Sequence, residues 1–117
     1  MSVSPFSLHR LFFLLTCFLI PVFSLASESL VVHKSPTCGC CELWLEQLSQ
    51  QGHDYTLSHP ADLNALKARY RIAPRYQSCH TAVSEQGFVF EGHIPGFLIS
   101  RFLAKPPEGA IGLAVPG

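Results

Sequence analysis

Leu30-Val31-Val32-His33-Lys34-Ser35-Pro36-Thr37-Cys38-Gly39-Cys40-Cys41 is the stretch from which the fold of this chain is read. Its first five residues are β-prone and mostly apolar, a short strand. Ser35-Pro36-Thr37 breaks that strand and offers hydroxyls suited to capping a helix. A helix follows, because Cys41, Trp44, Leu45 and Leu48 recur at i, i+3, i+4 and i+7 and so share one face. Gly52 closes it in the position where a left-handed residue is favoured. Three cysteines, Cys38, Cys40 and Cys41, therefore fall between the end of a strand and the first turn of a helix.

The rest of the chain extends this unit. Tyr55 and Leu57 alternate with polar residues in a second strand, and Pro60 can open a second helix with Leu63, Leu66 and Tyr70 on one face. Pro74 ends it. Cys79 to Val83 and Phe88 to Ile94 form two strands joined tightly by Ser84-Glu85-Gln86-Gly87, a hairpin. Phe97 to Ala104 is a third helix, stopped by Pro106-Pro107, and the Gly- and Pro-containing segment 109–117 is expected to be a tail or loop. The order β-α-β-α-β-β-α defines an α/β domain with a four-stranded mixed sheet. Its first two strands are parallel through a right-handed crossover and its last two antiparallel. This order is similar to that of the thioredoxin and glutaredoxin fold.

On such a sheet the third strand lies antiparallel beside the first, so its beginning, Cys79-His80, meets the end of the first strand. If Ser84 faces Gly87 across the hairpin, Ser78 lies opposite His93, and a slip of one residue would turn His93 to the other face. Three segments thus carry Cys38, Cys40 and Cys41, Cys79 and His80, and His93 to one edge. A helix N-terminus favours thiolate, and several thiolates together repel unless a cation or a disulfide relieves them. Soft thiolates suit Cu(I) or Zn(II), with neutral imidazole completing the shell. Cys38 and Cys41 alone are a C-x-x-C, which reads equally as a redox pair or half a zinc site. Cys40 shifts the balance to metal, because disulfide exchange needs one attacking and one resolving thiol. His33, His53 and His59 read as surface or internally satisfied histidines. Lys67, Arg69, Arg71 and Arg75 read as a solvated helix face, and Trp44 as core.

The 117 residues fit one domain. His9 and Arg10 precede an uncharged run from Leu11 to Phe23, and Ser24-Leu25-Ala26 supplies the small residues of a cleavage site. The run is shorter than the roughly 20 residues that span a bilayer. Residues 1–26 are therefore expected to be a secretory signal, with Cys17 an ordinary part of it, residues 27–108 the metal-binding domain and 109–117 the tail. Without the signal, net charge falls to about −1 and five of the nine Phe are gone. That charge offers nothing to nucleic acid. Four Cys remain in an exported chain, where disulfides persist, yet three of them are too close together for a framework that closes long loops.

Three motifs in this order, Lys34-Ser35-Pro36-Thr37-Cys38-Gly39-Cys40-Cys41 with Trp44, then Ser78-Cys79-His80-Thr81-Ala82, then Gly92-His93-Ile94-Pro95, resemble the CopG-type periplasmic copper-resistance family over about residues 30–116. The resemblance implies a thioredoxin-like fold, several copper ions in a thiolate-bridged cluster on Cys38, Cys40, Cys41 and Cys79, and interconversion of Cu(I) and Cu(II). It also implies a periplasmic location, no stable membrane insertion after cleavage, and a copper exporter or another periplasmic copper protein as partner. Two departures stand out. Thioredoxin relatives place a cis-proline just before the third strand, whereas Pro74 lies five residues before Cys79. Family members tend to carry methionines after the Gly-Pro segment, whereas this chain has only Met1. Either the chain continues beyond Gly117 or thioether ligands are absent. The rival readings are a thiol–disulfide oxidoreductase using Cys38 and Cys41, and a module held by structural zinc.

Overall fold

A computed structural model describes residues 28–115, so the expected signal segment lies outside the described residues. Strand β1 (Ser29–Lys34) is followed by α1 (Cys40–Gln50), β2 (Asp54–Ser58), α2 (Leu63–Arg69), a 3-10 turn at Pro74–Tyr76, β3 (His80–Ser84), β4 (Val89–Glu91), α3 (Gly96–Ala104) and β5 (Gly112–Ala114). The sheet order is β2-β1-β3-β4-β5. β1 pairs parallel with β2 and antiparallel with β3, β3 pairs antiparallel with β4, and β4 pairs parallel with β5. The mixed α/β class and the expected order of strands and helices are therefore present.

The sheet has five strands, not four. Segment 109–117, expected to be a tail or loop, contributes β5. Gly112 explains how so short a piece joins: a Cβ there would collide with the Val89 backbone, so only glycine lets the strand approach β4 at this point. Three residues are too few to show an alternating pattern. The second helix also starts later than Pro60, at Leu63. Asp62 caps it by accepting a hydrogen bond from the Ala65 N–H at 2.9 Å.

Alternation along the strands sorts the sheet into two faces. Leu30, Val32, Ala82 and Phe90 share one face with the buried side of α1 (Trp44, Leu45, Leu48) and with Ile94, Ile99 and Phe102, which together form the core. The helical stripe Cys41, Trp44, Leu45 and Leu48 is buried as the spacing requires. Phe102 meets Phe88 and Phe90 edge-on, with ring centroids 5.2 and 5.6 Å apart. The opposite face carries Thr81 and Glu91, directly paired, and there Lys67 of α2 reaches down onto them. Lys67 was expected in a solvated basic stretch, and it is instead 2 % exposed against a Glu91 that is 1 % exposed.

Candidate metal centre

The thiols stand where β1 hands over to α1. Ser35 and Thr37 do not cap the helix. Their hydroxyls hydrogen-bond one another at 3.0 Å, and the Cys38 N–H bonds back to the Ser35 carbonyl at 3.2 Å. The turn thus folds on itself and leaves the first helical turn to Cys40 and Cys41. Cys41 is buried, Cys38 and Cys79 half-buried, and Cys40 exposed.

Cys79 arrives from the residue just before β3, because Lys34 at the end of β1 pairs with His80. Its Sγ lies 3.8 Å from that of Cys40 and 3.6 Å from that of Cys41, and Cys40 Sγ is 3.6 Å from Cys38 Sγ. Cys38 and Cys41 are joined as a disulfide with Cα atoms 5.8 Å apart, leaving Cys40 and Cys79 as thiols. His80 Nδ1 lies 3.5 Å from Cys41 Sγ and 3.8 Å from Cys79 Sγ. Two overlapping groups result, Cys38, Cys40, Cys41 and Cys79, and Cys41, Cys79, His80 and His93. Within each group every member offers a donor atom within 4.8 Å of the others. All six residues singled out in the sequence therefore converge.

His93 reaches the site by a different route from the one expected. The hairpin register pairs Thr81 with Glu91 and Val83 with Val89, which places Cys79 rather than Ser78 opposite His93. Regular alternation would then turn His93 away. β4 instead stops at Glu91, and Gly92, with φ +86°, breaks the alternation. The His93 ring stacks 5.2 Å from that of His80, and Trp44 lies 4.3 Å from His80 on the buried side. Trp44 is core, as expected, but it also donates its indole N–H to the Ile94 carbonyl at 2.7 Å, tying the His93 loop to α1.

The electrostatics favour a bound cation. His80 is fully buried, with its Nδ1 turned toward the Cys41 and Cys79 sulfurs. Burial, and then the neighbouring His93, lower its pKa to about 4, so the imidazole stays neutral and able to donate a lone pair. Cys79, first by hydrogen bonding and then by charge repulsion, pushes the Cys40 thiol up, as crowded thiols without a counter-cation must. Once the Cys38–Cys41 disulfide is reduced, four soft sulfurs with an imidazole beside them match the donor preferences of Cu(I) and, less selectively, Zn(II). Of the histidines read as surface or internally satisfied, His33 is half-buried with its Nδ1 unpartnered among the described residues, and the other two are engaged. His53 Nε2 meets the Gly96 carbonyl at 2.9 Å and Ser100 Oγ at 3.0 Å, and His59 Nδ1 meets the Lys34 carbonyl at 2.9 Å.

Two polar groups escaped the sequence reading. Lys34 is 3 % exposed, with its ammonium 3.2 Å from the Ser35 carbonyl and 3.3 Å from Glu42. Glu91 accepts hydrogen bonds from Lys67, from Thr81 Oγ1 at 2.6 Å and from the Ser78 N–H at 2.7 Å. The observed register pairs Thr81 with Glu91 on the non-core face, whereas the expected register, one residue out, sets Thr81 opposite Phe90 and conceals the polar pair.

An α/β domain with a cysteine-rich strand-to-helix junction, met by a Cys-His pair from an adjacent strand, is a metallothiol class of protein. Residues 76–117 match the family model described as "Protein of unknown function, DUF411". Among solved structures, the chain is similar to "Copper resistance protein copG- Form 2", with 34% identity, 78% of this chain and 71% of that chain covered, and a TM-score of 0.71. It is also similar to "Copper resistance protein copG- Form 1", with 35% identity, coverages of 76% and 69%, and a TM-score of 0.69. No curated protein gives a significant match. The chain belongs to the CopG-type copper-resistance family.

Proposed function

We propose that this chain is a periplasmic copper-binding protein that takes up Cu(I), as more than one ion, through Cys38, Cys40, Cys41 and Cys79, with His80 and His93 completing the shell. The observation that carries this reading is the approach of four sulfurs from two distant segments to within 4.8 Å, beside a neutral imidazole whose Nδ1 faces the Cys41 and Cys79 sulfurs. The copper-resistance names of its solved relatives support copper over zinc. Copper is the cargo, sequestered or changed in redox state before transfer to an exporter or another periplasmic copper protein. Residues 1–26 would direct export and then be removed. Among the described residues no helix is long and apolar enough to cross a membrane.

The Cys38–Cys41 disulfide favours a redox role within this same function. Two thiols that give up two electrons reduce two Cu(II) to two Cu(I), forming one disulfide and releasing two protons. A dithiol reductant, itself oxidised to a disulfide, returns two electrons and two protons and restores all four thiols for metal.

The deciding experiment loads the reduced mature protein anaerobically and measures Cu(I) stoichiometry and competition against Zn(II). More than one tightly held Cu(I) per chain, resistant to zinc, is expected. One zinc that copper cannot displace would support the structural zinc module instead. Dithiol reductase activity without retained copper would support the oxidoreductase. Mass spectrometry of the exported protein should place its N-terminus near Ser27.

A further inference from the structure

Cys79 and His80 must be held accurately if they are to share a centre with α1, yet Cys79 precedes the first ladder residue of β3. What fixes it lies on the other face of the sheet. Ser78, its neighbour, donates its backbone N–H to Glu91 Oε1 at 2.7 Å. That carboxylate is itself pinned. Lys67 from α2 pairs with Oε1, Thr81 Oγ1 donates to Oε2 at 2.6 Å, and Lys67 donates to Thr81 Oγ1 at 2.9 Å. Both charged groups are buried, at 1 % and 2 % exposed, so this is not a surface ion pair that comes and goes. Gly92 lies close beside Ser78. A Cβ there would come within 3.2 Å of Ser78 Oγ and would collide with the Val115 carbonyl.

We propose that Glu91 is a positioning residue of the metal centre: its buried carboxylate, anchored by Lys67 and Thr81, clamps the Ser78 N–H and thereby sets where Cys79 Sγ and His80 stand relative to Cys40 and Cys41. A buried ion pair contributes little net stability compared with well-packed apolar groups, whereas it imposes direction. Here the direction is that of a backbone N–H one residue from a thiol. Groups outside the ligand shell that orient ligands in this way change affinity when they are lost. The inference rests on the reading of Cys79 as a copper ligand.

The test uses the full mature chain with two variants, E91D and K67M/T81V/E91M. E91D keeps the charge but draws back the oxygen that the Ser78 N–H and Lys67 share; the long Lys67 side chain can follow it, whereas the Ser78 backbone N–H cannot. The triple variant replaces the polar network by apolar side chains of similar length and keeps the fold by packing. Two quantities are read: amide hydrogen exchange in the metal-free protein, and Cu(I) affinity by competition with bicinchoninate. Both variants should speed exchange at Ser78 while protection at Val32 and Ala82 is retained, and both should weaken Cu(I) roughly tenfold or more. A merely structural residue would lower protection across β1 and β3 together. Folded variants with unchanged exchange at Ser78 and unchanged affinity would overturn the proposal. If the triple variant does not fold, E91D alone decides. If Cys79→Ser leaves the parent's copper affinity unchanged, the ligand reading fails, and the exchange data still judge the clamp by themselves.

Discussion

The sulfur of Cys79 lies 3.6 Å from that of Cys41, although 38 positions separate them in the chain. The contact exists because β3 runs antiparallel to β1 and begins where β1 ends, opposite Lys34. A single loop offering three thiols can bind a soft ion on one side. A fourth thiol from another strand encloses it.

Replacing Cys79 by Ser should therefore lower the number of sulfur neighbours per copper, or the amount of copper retained, with little change in fold. X-ray absorption of the copper-loaded protein reports the first, and elemental analysis after desalting the second. An unchanged sulfur count and copper content would confine the site to the loop before α1.

Cys40 separates the two chemical readings. It lies outside the Cys38–Cys41 disulfide, 3.6 Å from Cys38 Sγ and 3.8 Å from Cys79 Sγ. A Cys40→Ser variant should lose Cu(I) affinity and stoichiometry by ligand competition, while the Cys38–Cys41 pair still cycles with a dithiol reductant. Equal copper binding by variant and parent would remove the cluster reading and leave the redox pair.

Most of this site was legible because its signals are chemical and local. Three cysteines in four positions mark a thiol centre, and the strand order brings Cys79 and His80 to it. The hairpin register was less accessible. Counting from Ser84 and Gly87 misplaced the pairing by one residue, and only the left-handed Gly92 returns His93 to the site. Backbone reversal at a glycine is invisible to a period-two pattern. Lys67 and Glu91 were hidden for another reason. A charged residue is buried only when its partner is placed, and the partner here is 24 residues away. β5 was hidden because glycine-rich segments carry no side-chain pattern.

Proton binding at His80 gives the metal-free protein a predictable pH dependence. Burial, and then the neighbouring His93, lower its pKa from 6.5 to about 4. The unfolded chain takes up this proton near 6.5, and the folded chain only near 4. In that window the unfolded state binds more protons, so stability falls as pH falls, and it levels off below the folded value. The slope due to this residue approaches about 1.4 kcal/mol per pH unit. Urea unfolding from pH 7.5 to 4 should show it in the parent and not in His80→Gln. Parallel curves for the two proteins would mean that His80 protonates in the native state much as it does in the unfolded chain.

Trp44 offers a test of how the imidazoles are held. Its indole N–H donates to the Ile94 carbonyl at 2.7 Å from a position only 4 % exposed, and its ring lies 4.3 Å from that of His80 and 6.5 Å from that of His93. Trp44→Phe keeps an aromatic ring in the core but removes the donor and leaves a buried carbonyl without that partner. The cost of such an orphaned group is about 1–3 kcal/mol, which thermal or urea unfolding of the metal-free protein should report. The carbonyl belongs to the residue after His93, so the His93 loop should also loosen, visible as line broadening of the His93 imidazole resonances. The thiols of α1 do not depend on this bond, and the first Cu(I) bound should keep its affinity. If instead Trp44→Phe left stability and the His93 resonances unchanged, the indole bond would not be what ties that loop to α1.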